Sequence, residues 1–131
     1  MNIQKYAKAD IAFNQIETAL RLLFEEGDLF SVITLAGAAE EILGQILQHK
    51  AGKGGFLKSV WEILRPGKRK EPTKEGDAGQ ETEAFVHMDL NQEAQFLLGR
   101  AIDDYQTLSG MLSANMLRFN KELREKKELL A

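Results

Sequence analysis

The chain has 131 residues, 44% hydrophobic and 28% charged, with a formal net charge of −3 and no cysteine. That length suits one ordinary domain with a packed core, and the lack of cysteine excludes disulfides, thiolate nucleophiles and cysteine-ligated zinc or iron–sulfur centres. Charge is unevenly spread: residues 1–49 carry a net −4, residues 50–74 a net +6 and residues 75–131 a net −5, so a basic centre lies between two acidic arms.

The first arm opens with helical periodicity. Phe13, Ile16, Leu20, Leu23 and Phe24 recur at spacings of three and four, which predicts an amphipathic helix. Gly27 is its predicted stop, and Asp28 the predicted N-cap of the helix that follows. That second helix is expected over about 29–49, where Val32, Leu35, Ala36, Ala39, Ile42, Leu43, Ile46 and Leu47 share an arc of about 140°. Gly52, Gly54 and Gly55 end it. A short helix is expected over 56–64, with Phe56, Val60, Trp61 and Leu64 on its apolar side and Pro66 closing it.

Residues 66–80, PGKRKEPTKEGDAGQ, contain both prolines, many charges and no large apolar residue, and are expected to form a mobile or disordered loop. Helical signals resume from about residue 81. Leu90, Ala94, Leu97, Leu98, Ala101, Tyr105, Leu108, Leu112, Phe119 and Leu123 fall on one side of a helix capped by Asp89 or Asn91. Gly110 leaves open whether this is one helix or two. Met88, Met111 and Met116 are expected as core filler. No segment alternates apolar and polar residues between turn signals, so strands are not expected. The expected fold is a single all-α domain over 1–131, an up-and-down bundle of about four main helices plus the short helix and the basic loop.

Two adjacent glutamates, Glu40 and Glu41, interrupt the apolar second helix. A carboxylate in apolar surroundings is costly unless paired. On a helical wheel Glu40 borders the core beside Gly37 and Gly44, a strip where a partner helix or a ligand can approach closely, while Glu41 points away from the arc. Arg100, with Asp104 one turn on, is the candidate partner, because a guanidinium favours a planar carboxylate pair. Three readings stay open: a surface pair of Arg100 with Asp104, a pair across helices with Glu40, or a functional pocket.

The strings AGAAEEILGQIL (36–47) and RAIDDY (100–105) resemble the second helix and the late arginine motif of HEPN-like domains of the abortive-infection type. The resemblance implies an all-α bundle that commonly dimerises. In that superfamily some members are metal-independent ribonucleases of toxin and antiviral systems, and others only bind nucleotides or RNA. It places the motif arginine on Arg100 and puts Tyr105 where the motif histidine is expected. Neither His49 nor His87 follows an arginine at that spacing. Tyrosine, with a pKa near ~10, is a poor base at neutral pH, so a non-catalytic relative is expected.

No metal or cofactor is expected, since neither Glu40 nor Glu41 is followed by histidine at three and Glu93 is followed there by Phe96. The glycines of 51–55 match neither a phosphate-binding loop nor a dinucleotide-binding turn. Arg65, Lys68, Arg69 and Lys70, near Trp61, suit a phosphate backbone with base stacking, although a loop solvated by its charges, with Trp61 anchoring the short helix to the core, is the favoured reading. The N-terminus lacks a signal-peptide pattern and no run reaches about 18 consecutive apolar residues, so a cytoplasmic protein without membrane contact is expected. The reading that results is a homodimeric binding or assembly module. Glu40, Glu41, Arg100, Asp104 and Tyr105 are its candidate site, and a nucleotide or RNA phosphate its candidate ligand. A ribonuclease and a purely structural homodimer are the alternatives.

Overall fold

The computed structural model describes residues 1–51 and 84–125. The expected short helix 56–64, the loop 66–80 with Arg65, Lys68, Arg69 and Lys70, and Trp61 lie outside the described residues. Within them the fold is all-helical and no strand occurs. The helices are α1 (Lys8–Phe24), α2 (Leu29–Ala51), α3 (Leu90–Ser109) and α4 (Ala114–Phe119), and α4 runs on into a turn of π-helix over Asn120–Glu125. The chain divides into two compact units, Met1–Leu47 with Leu90–Ala131, and Gln48–Asp89. The helical bundle described below belongs to the first.

Directions follow from which residues meet. Phe13 of α1 touches Tyr105 of α3, and the far end of α1, at Leu23 and Phe24, shares a cavity wall with Asn91 and Gln95, so α1 and α3 are antiparallel. Gly37 faces Leu97 and Glu40 faces Arg100, so α2 and α3 run in the same direction. Gly110, at φ 74°, ends α3 and turns the chain back into α4. The stretch that the sequence left open as one helix or two is therefore two. Glycine is suited to that left-handed turn because it has no Cβ to clash with the backbone.

The core comprises Ala12, Ile16, Ala19 and Leu20 of α1, Val32, Ala36, Ala39 and Leu43 of α2, Ala94, Leu98, Ala101 and Ile102 of α3, and Met116 and Phe119 of α4. Each set follows the three-and-four spacing of a helix packed on one side. The larger residues of the expected stripes, Phe13, Leu23, Phe24, Leu35, Ile42, Leu97, Tyr105 and Leu108, flank this core half-buried. Met116 is core filler as expected, whereas Met88 and Met111 are 48% and 63% exposed. Both precede a helix start rather than lying on a packed face. By length and composition Leu29–Lys50 is apolar enough to cross a membrane, with a mean hydropathy of 1.4, although four of its side chains form part of the bundle core.

The α1–α2 turn shows how local chemistry positions the helices. Asp28 caps α2, accepting from the backbone N–H of Phe30 and Ser31 and from the Ser31 hydroxyl at 2.6 Å. Before it, the Gly27 N–H donates to the Leu22 carbonyl at 2.7 Å and the Glu26 N–H to that of Leu23 at 3.1 Å. This crossed pair is a Schellman stop, and it shifts the expected role of Gly27 by one residue. The left-handed position is held by Glu26, at φ 57°, at a cost of about 1–2 kcal/mol for a residue with a Cβ. Gly27 is instead required by space: a Cβ there would lie 3.1 Å from Leu22 Cδ2 and 3.2 Å from the Leu22 carbonyl oxygen.

Two outcomes are expected. Phe119, 1% exposed, seals α4 onto the core, and Phe119→Ala should lower stability by about 3–5 kcal/mol in chemical denaturation. The bond from the Ser31 hydroxyl, helped by the backbone N–H groups of Ser31 and Phe30 and opposed by desolvation, holds the Asp28 carboxyl below its usual range. The charged cap therefore contributes fully above the unfolded-chain value of about 3.9 and is lost as pH falls through the lower folded value. Asp28→Ala should reduce Tm at pH 7, and the gap to wild type should narrow below about pH 4.

Candidate functional site

Glu93, Leu97, Arg100 and Asp104 are spaced four, three and four apart, so they lie along one face of α3. Leu97 and Arg100 on that face meet α2 at its glycine strip. A Cβ on Gly37 would lie 3.9 Å from Leu97 Cδ1, and Gly44 is buried two turns further along. At Gly37 the strip is therefore met by α3 of the same chain.

At the edge of this seam Arg100 Nη2 donates to Glu40 Oε1 at 2.9 Å, with the two side chains 14% and 19% exposed. Of the three readings that the spacing left open, the pair across helices is therefore formed. The Arg100 guanidinium also lies 5.6 Å from the centroid of the Phe96 ring, one turn back on α3. The geometry suits a weak cation–π contact. Asp104, one turn on from Arg100, is buried.

The other candidates separate. Glu41 is exposed. Tyr105 is about 140° around α3 from Arg100 at 100° per residue, and its ring packs on Phe13 of α1 at 5.2 Å with a 40° tilt. It is a core aromatic linking α1 to α3, and it does not face the ion pair.

Several polar contacts had no sequence signal. Glu93 is buried on the Arg100 face of α3; its i−7 spacing from Arg100 was the one readable clue. Glu17 of α1 accepts from the Ser113 hydroxyl at 2.8 Å and from the Asn115 amide at 3.2 Å, which fixes the start of α4 against α1. Ser113 itself caps α4, accepting from the Met116 N–H. Arg124, on the π-helical turn, grips Asp103 of α3 with two parallel bonds of 2.8 and 2.9 Å, and its guanidinium lies 3.7 Å from where a Gly99 Cβ would be. Arg118 stacks on Phe24 at 3.9 Å. Apart from the local Ser113 cap, these contacts of Glu17, Arg124 and Arg118 join residues far apart in sequence, and only the fold brings them together. Among the described residues no group of three or more His, Asp or Glu side chains is placed to hold a metal ion.

Comparison with protein-family models, with curated proteins and with solved structures returns no match for this chain.

The Glu40–Arg100 bond is sheltered enough to exceed an exposed pair, which contributes about 0–1 kcal/mol. A double-mutant cycle with Glu40→Gln and Arg100→Met should give a coupling energy of about 1–2 kcal/mol. A coupling near zero would show that the two side chains are neighbours without a net interaction.

Proposed function

We propose that this chain is a non-catalytic, HEPN-like helical module that binds a nucleotide or RNA phosphate and assembles as a homodimer. The observation that carries the non-catalytic part is the Arg100–Glu40 bond. It commits one terminal nitrogen of the motif arginine to a carboxylate on the neighbouring helix, while Tyr105 is packed against Phe13 on another side of α3. An acid–base pair acting on one scissile bond requires both groups within reach of the same atom, and these two diverge.

Binding is supported by Phe96, an aromatic ring beside the positive charge of Arg100. That ring is 36% exposed and lies beside Arg100, an arrangement suited to a phosphate on the guanidinium and a base on the ring. The dimer contact would use the outer side of α2, where Glu41 is exposed, since the glycine strip already faces α3.

Fluorescence anisotropy with a labelled single-stranded RNA should show binding that weakens as salt rises, and the RNA should stay intact on a gel after long incubation. Glu40→Gln, which removes the negative charge beside Arg100, should tighten binding, and Phe96→Ala should weaken it. Cleavage of the RNA by wild type, lost in Arg100→Ala, would replace this reading with a ribonuclease. Native mass spectrometry of the wild type should show a dimer.

A further inference from the structure

A cavity of about 430 Å³ opens at the end of the bundle where α1 stops and α2 and α3 begin, and neither Glu40 nor Arg100 lines it. Its apolar wall is Leu23, Leu29 and Leu123, and on α3 the carboxamides of Asn91 and Gln95 line it one turn apart. This volume lies within the range of small-molecule sites, about 300–1,000 Å³.

The charges on its wall are not balanced. Arg118 lies flat on Phe24 at 3.9 Å and donates through Nε to Glu122 at 3.0 Å, so this pair neutralises itself. Glu26 is the charge left over. Its carboxylate makes no hydrogen bond or ion pair, and its backbone is held at φ 57°, where glycine would rest without strain. The side chains of Asn91 and Gln95 likewise make no bond to the protein. The wall thus combines an exposed carboxylate, two carboxamides that can accept through their oxygens, and three leucines, under a net charge of −1 from Glu26, Glu122 and Arg118.

We infer that this cavity binds a small organic monocation, a primary ammonium on a short apolar stem. An ammonium carries three donors and no acceptor, which matches the Glu26 carboxylate and the two carboxamide oxygens. The stem replaces water against the leucines, and the Glu26 contact is charge-assisted. The site is separate from the one assigned to phosphate above and does not depend on it.

The test is a ¹H–¹⁵N NMR titration of the full chain with n-butylammonium, and with n-butyrate as the anion of similar size. Butylammonium should give saturable shifts at the amides of Gly27, Asn91 and Gln95, and butyrate should leave them unmoved. Glu26→Gly is the deciding variant: it relieves the left-handed strain and so should raise Tm, while weakening butylammonium binding about tenfold. Glu26→Gln, which keeps the side-chain length, should weaken binding similarly. Unchanged affinity in both variants, or butyrate binding as well as butylammonium, would overturn the assignment.

Discussion

Among the described residues, six of the fourteen fully buried apolar side chains are alanines, two each on α1, α2 and α3, and the rest of the bundle depends on the close approach that this permits. Short side chains at the contact let helix axes approach toward the lower end of the usual range of about 8–10 Å. Gly37, against Leu97, extends the same condition along the α2–α3 seam. Phe13, Phe24, Leu97 and Tyr105 are half-buried and flank this core. Leu20, Leu43, Leu98, Ile102 and Phe119 fill the space where more than two helices converge.

The same constraint explains the charge inside the seam. A glutamate at the edge of α2 and an arginine at the edge of α3 meet at 2.9 Å, and both side chains are largely sheltered from solvent. Glu40 is thereby paired and partly sheltered, which resolves how a carboxylate is tolerated in an otherwise aliphatic helix. Asp103 and Arg124 repeat the device between α3 and the π-helical turn, at a more exposed edge. The fork there lies over Gly99, where a larger side chain would stand beneath the guanidinium. Polar groups in this bundle thus serve first to fix helix register, and function can use only the donors and faces left over.

The two ends of the bundle differ in how well their polar groups are matched. At the α3–α4 corner, Ser113 caps α4 while Glu17 holds Ser113 and Asn115, so the polar side chains there bond to one another. At the α1–α2 corner the backbone is fully matched by the crossed bonds to Leu22 and Leu23 and by Asp28, yet Glu26 is left strained and facing the cavity. Strain of this kind is retained only where surrounding structure holds it. Here that hold comes from Gly27 packed tightly on Leu22.

Much of the fold was legible before any coordinates, because helix formation and amphipathic burial are local properties with a fixed period. The first two helices, the Asp28 cap and the all-α class could be read from spacing alone, and the buried alanines follow the same period as the larger residues named beside them. Glu40 and Arg100 were legible as candidates because a charge on an apolar face demands a partner. That they pair with each other, sixty residues apart, was decided by the packing of α2 against α3, and the turning of Tyr105 toward Phe13 by the packing of α1 against α3. The cavity beside Glu26 is lined from α1, the α1–α2 turn, α2, α3, α4 and the π-helical turn, and no local pattern could bring these together. Sequence determines which faces must be buried and which charges must be matched. Only the tertiary structure selects the partners, because partner choice depends on distances between helices that no single helix contains.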